Sequence, residues 1–395
     1  MENTNEISEK EKVIIIQKVF AFYRKPVYDS LNKQVHLKVL YGRNNSGTKI
    51  IETDYSEVVP SFQYRNRESA VLLFPLWKIW KFRPSVVLCD LALGMLNLPV
   101  IILACKLMGI KFAFWSHGYN RKTGFQPERR WADRYRLWLL KWVDANIVYG
   151  QADKRILQEY LSADQLFVAQ NTMDTPTLAH IKEELDGEGR QAVKRRLGIK
   201  QQYNIVYIGR MLKAKKPDLL VDVYSILKTK YGTRIGVHFI GDGKMLPQIK
   251  ARVEAHFPEE DFYFHGAVHD NEKSGTLLYA CDLMVLPGDL GLSANHAFCF
   301  GCPVVSFKQV NGFPAHGPEI EYVVHNHTGF LVEEHNAKAL AAVINQYLTD
   351  TGLQTEVKRN IERAVSDIFP LEKMVGGAIE CIEYLVPNKL LSMPL

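Results

Sequence analysis

The chain alternates short, mostly apolar runs with longer segments in which apolar residues recur every three or four positions. The first kind reads as a buried strand and the second as an amphipathic helix. In the first half, strands are predicted at Val13–Gln17, His36–Tyr41, Val86–Cys89, Phe112–Trp115, Ala145–Tyr149 and Leu166–Ala169. Helices are predicted over Tyr23–Asn32, with Pro26 near its start, Ser69–Phe82, Leu96–Met108, Arg129–Val143 and Asp153–Leu161. After a polar, glycine-broken stretch the alternation restarts with strands Asn204–Ile208, Arg234–Ile240, Asp261–Phe264 and Gly329–Val332. The helices between and beyond them are Pro217–Tyr231, Met245–Phe257, Lys273–Ala280, Ala337–Leu348, and two more around Glu356–Ser366 and Glu372–Leu385.

Repeated strand–helix units predict an α/β chain with parallel sheets covered on both faces. A length of 395 residues is too great for one hydrophobic core. The pattern divides into a doubly wound domain over 1–175, a helix-containing connector over 176–201, a second doubly wound domain over 202–365, and a helical segment over 366–395 expected to pack back on the first domain. Two such lobes facing one another imply a cleft.

Leu283–Val305 organises the second domain. The apolar run Leu283–Leu286 meets the turn pair Pro287-Gly288, then Gly291, then a helix start near Ser293, which Gly301 and Pro303 end. A strand, a tight loop and a helix N-terminus at the carboxyl edge of a parallel sheet make an anion site, so the N–H groups of Gly291, Leu292 and Ser293 are candidate phosphate donors. Arg210 and Lys215, five apart after another buried strand, add a planar fork and a point charge suited to a diphosphate.

Composition changes the picture only through charge. The net charge of +6 is unevenly placed, with sixteen Lys or Arg against six Asp or Glu over 65–155, so one face of the first domain is expected to be basic. Met1–Lys12 is charged and lacks a signal-peptide core, and the six cysteines are scattered in apolar segments, which together predict a reducing cytoplasm. Val86–Ile110 is the most apolar stretch but carries Asp90, Asn97, Pro99 and Lys106, too many breaks for a spanning helix. Cys299-Phe300-Gly301-Cys302 has no second ligand pair and reads as structural, and no metal is expected. Gly241-Asp242-Gly243 fails as a dinucleotide fingerprint, since Leu246 stands where the third glycine belongs.

Several segments in order carry a family likeness. Gly209-Arg210 with Lys215, Gly241-Asp242-Gly243, Phe264-His265-Gly266, Pro287–Val305, Pro318-Glu319-Ile320 and Thr328–Val332 together resemble the C-terminal lobe of GT-B glycosyltransferases, in particular the large retaining group called family 4. Tyr23-Arg24-Lys25-Pro26 and Trp115-Ser116-His117-Gly118 are similar to the acceptor-lobe motifs of bacterial surface-polysaccharide glycosyltransferases.

The resemblance implies a transferase that takes a nucleotide-diphosphate sugar and delivers the sugar, with retention, to a lipid-linked or oligosaccharide acceptor. It implies His117 at the donor sugar's hydroxyls, Glu319 with Pro318 on the opposite wall, Gly209, Gly241 and Gly243 near the nucleotide, and Ala267 and Val268 against the base. Tyr23 and Arg24 fall on the acceptor side. The chain departs from the group at a pair of glutamates eight positions apart, where Gly288 and His296 stand. His296 is then expected at the ribose, and Asp289 is expected to share the first glutamate's contact with the sugar. The other readings are a sugar-nucleotide epimerase on the same scaffold and a nucleotide-sugar-binding protein without turnover. A transfer assay with and without acceptor separates them.

Arg129–Trp142 interleaves basic and aromatic residues at helical spacing, with Trp131, Tyr135, Trp138 and Trp142 on one face. It is either a helix packed on the core or an interfacial helix on anionic lipid, and the basic surplus favours lipid. No nucleic-acid recognition module accompanies the charge, and nucleic acid is not an expected partner.

Overall fold

The computed structural model describes residues 10–42, 52–59, 62–63, 70–71 and 76–387. The chain opens with β1 (Lys12–Gln17), α1 (Lys25–Gln34), β2 (His36–Gly42), β3 (Ser56–Val59), β4 (Phe62–Gln63), β5 (Ala70–Val71) and α2 (Leu76–Phe82). It continues with β6 (Val86–Cys89), α3 (Leu98–Leu107), β7 (Lys111–Trp115), α4 (Trp131–Trp142), β8 (Ala145–Val148), α5 (Gln151–Gln158) and β9 (Leu166–Val168). Then come α6 (Thr175–Glu188), α7 (Arg190–Arg196), β10 (Tyr203–Ile208), α8 (Leu219–Tyr231), β11 (Ile235–Ile240), α9 (Leu246–His256), β12 (Phe262–Gly266) and α10 (Asn271–Ala280). The last elements are β13 (Leu283–Val285), α11 (Ser293–Cys299), β14 (Val304–Phe307), β15 (Gly329–Val332), α12 (Ala337–Thr349), α13 (Thr351–Asp367) and α14 (Leu371–Leu385).

The chain forms two compact units, one of Met1–Asn120, Gly124–Gln170 and Leu371–Leu395, the other of Arg121–Thr123 and Asn171–Pro370. The first holds a seven-stranded parallel sheet in the order β3-β2-β1-β6-β7-β8-β9. Because strand side chains alternate, Val13 and Ile15 join α1 and α14 in one core, while Ile14 and Ile16 join α2, α3, α4 and α5 in another. Helix α14 lies backbone on backbone against β9, since a Cβ on Gly377 would come within 2.0 Å of the Val168 carbonyl oxygen.

The second unit holds a six-stranded parallel sheet in the order β12-β11-β10-β13-β14-β15. In each sheet the strand order reverses once beside the unit's first strand, at β1/β6 and at β10/β13, and such switch points open a crevice at the carboxyl edge.

One expectation changes. Ser69–Phe82 is not one helix: Ala70-Val71 pairs antiparallel with Phe62-Gln63, and α2 covers Leu76–Phe82. Between the two sheets the chain folds as α6 and α7, whose Leu178, Leu185 and Val193 lie inside the second unit's core.

Candidate functional site

In the second unit the carboxyl ends of β10, β11 and β12 are joined by backbone. Gly209 N–H donates to Ile240 O (2.9 Å), Met211 N–H to Asp242 O (2.8 Å) and Gly241 N–H to Gly266 O (2.7 Å). This approach requires glycine: Gly241 has φ +139°, and a Cβ there would stand 2.0 Å from Gly209 O. Gly243 repeats the case against Met211 O. The glycine pair therefore brings together the loops after β10 and β11, on one side of the β10/β13 switch point. Ala267 is exposed and Val268 half-buried just after Gly266.

Arg210 projects exposed from this platform, while Lys215 sits partly buried in the short turn that follows. The Lys215 ammonium donates to Asp289 O at 2.7 Å, which fastens the turn to the loop after β13. Burial pushes the Lys215 pKa down, nearby Arg210 pushes it the same way, and Asp289 and Glu319 oppose them. Among the described residues neither Arg210 nor Lys215 forms an ion pair. Two neighbouring cations with no carboxylate in ion-pair contact among the described residues, one of them desolvated, make a place where a diphosphate lowers the energy of both.

Gly288 explains one departure from the glutamate pattern. A Cβ there would lie 2.1 Å from Ala214 O and 2.4 Å from Lys215 Cα, so a side chain and the present Lys215 turn exclude one another. Asp289 places Oδ1 on the Ala315 N–H at 2.8 Å. The loop is braced further by His316, which no sequence motif marks. Its Nδ1 accepts from the Leu290 N–H at 3.1 Å and its Nε2 faces Phe307 O at 2.9 Å. That pattern fixes a neutral imidazole, and burial lowers its pKa to about 4. Gly317 N–H donates to Leu290 O at 2.7 Å. Arg121, in the short segment that groups with this unit, donates through Nε to His316 O at 2.8 Å.

Helix α11 follows the loop after Gly291 and Leu292, with the Ala294 N–H already bonded to Gly291 O at 2.9 Å. His296 lies inside the helix's buried side, its ring against Phe300 at 5.6 Å, and its Nε2 has no hydrogen-bond partner among the described residues. Burial lowers its pKa to about 4. Glu319 is buried and accepts from the Asn171 side-chain amide, while Asn171 O accepts from Asn295 Nδ2 (3.1 Å) and the Tyr322 hydroxyl (2.8 Å). Cys299 and Cys302 are buried thiols, each pushed up to about 12 by desolvation.

In the first unit a second group gathers at its own switch point. His117 follows β7 and Ser116, with Nδ1 2.9 Å from Asp153 Oδ2 and its ring edge-on to Tyr149 at 4.9 Å. Arg24 lies 4.9 Å over the Tyr149 ring and 5.7 Å from the Tyr23 ring centre. Asp90, at the end of β6, has its pKa raised by burial, with His117, Lys18 and Arg24 close enough to oppose the rise. Tyr149 and Asp153 carried no distinguishing sequence signal.

The paired switch-point sheets are the architecture of the GT-B glycosyltransferases, and solved structures of that fold cover nearly the whole chain. A glycosyltransferase from Rickettsia africae covers 96% of it and is itself covered over 99%, with a TM-score of 0.71 at 16% identity. HepE from Anabaena in complex with UDP covers 94%, is covered over 99%, and has a TM-score of 0.65 at 17% identity. Residues 189–364 match the family described as glycosyl transferases group 1. A curated relative, the D-inositol 3-phosphate glycosyltransferase of Streptomyces avermitilis, is 26% identical over 187 residues. That match takes in 45% of this chain and spans 39% of the relative's own length.

Proposed function

We propose that the protein is a retaining glycosyltransferase of the family 4 kind, transferring a sugar from a nucleotide-diphosphate donor to a lipid-linked or oligosaccharide acceptor in cell-surface polysaccharide assembly on the cytoplasmic side. The observation that carries this reading is the Arg210–Lys215 pair, two cations without a carboxylate partner among the described residues, at the switch point of a glycosyltransferase group 1 domain. The complex of HepE with UDP makes uridine donors the first to test.

As the anomeric C–O bond to the diphosphate breaks, negative charge grows on the leaving oxygens, and Arg210 and Lys215 stabilise it more than they stabilise the bound donor. The acceptor hydroxyl bonds to the anomeric carbon on the same face, and its proton passes to the leaving diphosphate. Burial lowers the Lys215 pKa, and an anion bound beside it favours the charged form. Because these two side chains supply positive charge at the diphosphate, the reaction needs no metal ion, and turnover persists in EDTA. Gly209, Gly241 and Gly243 bring the backbone near the nucleotide, Ala267 and Val268 lie at the base, and Gly291, Leu292 and Ser293 donate to phosphate. His296 meets the ribose, Asp289 and Glu319 the sugar, His117 its hydroxyls, and Tyr23 and Arg24 the acceptor. The helix within 129–142 adds a peripheral contact with anionic membrane.

A thermal-shift panel of UDP-, GDP-, ADP- and TDP-sugars followed by radiolabel transfer to lipid-linked acceptor tests the reading. A raised midpoint with one base and acceptor-dependent transfer supports it. Interconversion of free sugar nucleotides without transfer, or binding without turnover, overturns it.

A further inference from the structure

Three helices of the first unit, α2, α3 and α4, bury their inner sides in one core through Ile79, Ile101, Ile102, Leu139 and Leu140. Their outer sides are not polar. On α3 and the residues leading into it, Leu96, Val100, Leu103 and Leu107 recur at spacings of four and three and are 68%, 55%, 48% and 80% exposed. A helix apolar on all sides belongs in a core or in lipid, and here one side faces out. Lys106 is the one charged residue of α3.

The neighbouring helices carry aromatic side chains at the same surface. Trp77 and Trp80 of α2 are exposed, as are Trp131 and Trp138 of α4. Five of the chain's six tryptophans lie on α2 and α4. Tyr135 and Trp142 instead lean on the core, so the aromatic face read from the sequence is split between packing and display.

Charge selects the occupant. Helices α2 and α3 have no acidic residue, and the single one on α4, Asp133, is buried and paired with Arg130 and Arg136. The exposed charge on the three helices is therefore cationic, at Lys81, Lys106, Arg134 and Lys141. A second copy meeting this face would set like charge against like charge. An anionic bilayer accepts all three features: tryptophan at the headgroup level, aliphatic side chains below it, and cations at the phosphates. Among the described residues no helix is long and apolar enough to cross a membrane, so the contact is with one leaflet.

We propose that the outer face of α2, α3 and α4 docks on anionic lipid, with the stripe Leu96, Val100, Leu103 and Leu107 entering the acyl region. This rests on the membrane contact proposed above for 129–142 and names α3, not α4, as the inserting element.

The test uses the full chain and vesicles of phosphatidylcholine with or without phosphatidylglycerol. The parent protein is expected to sediment with the mixed vesicles and only weakly with phosphatidylcholine alone. Val100→Ser, Leu103→Ser and Leu107→Ser together are expected to weaken that binding by roughly tenfold or more, with an unchanged melting midpoint because the side chains are exposed. Lys106→Glu with Lys141→Glu is expected to abolish the preference for phosphatidylglycerol. Brominated acyl chains are expected to quench tryptophan fluorescence in the parent and less in the serine variant.

Undiminished binding by the serine variant overturns the insertion of α3. If the charge variant alone loses binding, the contact is electrostatic and belongs to the surface charge. A parent that ignores both vesicles removes α3 and the 129–142 contact together, while acceptor-dependent transfer assayed separately leaves the transferase reading intact. A parent dimer that the serine substitutions dissociate makes the face an interface between copies and overturns the proposal.

Discussion

The His117 imidazole is held through Nδ1 by the Asp153 carboxylate at 2.9 Å, and Asp153 is wholly buried in the first turn of α5. The other carboxylate oxygen accepts from the Tyr119 hydroxyl at 2.8 Å. A carboxylate on Nδ1 fixes the tautomer with its proton there and leaves Nε2 as the acceptor. The start of a helix favours the negative charge that does this. Asp153 is thus a positioning residue for whatever His117 touches.

Asp153→Asn keeps the shape and removes the charge. Loss of a charge-assisted hydrogen bond, about 1.5–3 kcal/mol, is expected to lower turnover tenfold or more while nucleotide affinity stays at the parent value. A variant with parent kinetics would show that Asp153 serves packing alone.

Arg210→Ala and Lys215→Ala are each expected to cost about 1.5–3 kcal/mol of diphosphate interaction. Their stability effects differ. Arg210 is exposed, so its removal leaves the melting midpoint in place, whereas Lys215 also ties its turn to Asp289 O and its removal lowers the midpoint. Isothermal titration with the free nucleoside diphosphate checks both, and full affinity in either variant removes that residue from the site.

Gly288→Ala places a Cβ where Ala214 O and the Lys215 backbone now stand. The turn bearing Lys215 must move, and donor affinity is expected to fall by more than the single methyl's loss of stability. The measurement is the ratio of nucleotide affinity to melting midpoint across Gly288→Ala and Gly377→Ala, since a Cβ on Gly377 meets the Val168 carbonyl within the first unit. Equal effects would detach Gly288 from the Lys215 turn.

The sequence carried the strands and helices well because each sheet is buried on both faces and its strands are continuous apolar runs, as at Val86–Cys89 and Val304–Phe307. The glycine platform was visible for the same local reason: Gly209, Gly241 and Gly243 each follow a strand end. The braces were not visible. His316 reaches Leu290 across 26 residues and Lys215 reaches Asp289 across 74, and no local pattern marks either partner. The helix expected from Ser69 missed the strand pairing of Ala70-Val71, a two-residue contact too short to leave a pattern, and the apolar positions of α6 and α7, Leu178, Leu185 and Val193, are too sparse to announce a core.

His296 joins stability to binding, and pH separates the two. Its pKa and that of His316 are lowered by burial to about 4, against about 6.5 in the unfolded chain. Between those values the unfolded state binds more protons than the folded one, so stability is full above about pH 6.5 and falls as pH drops toward 4. The parent's melting midpoint is therefore expected to decline from pH 7 to pH 5. His296→Leu cannot take up the proton and is expected to flatten that decline partly, with His316, His238 and His265, whose pKa values burial also lowers, keeping the remainder. Binding reads the other role: if the unpartnered Nε2 meets the ribose, His296→Ala weakens free-nucleotide affinity by about 0.5–1.5 kcal/mol, the net worth of one hydrogen bond. Asp289→Asn, by contrast, is expected to spare nucleotide binding and reduce transfer, since its proposed contact is with the sugar. Calorimetry at pH 7 decides the matter: parent affinity in His296→Ala together with a lowered midpoint makes His296 a core residue packed on Phe300, and the ribose contact then belongs elsewhere in the second unit.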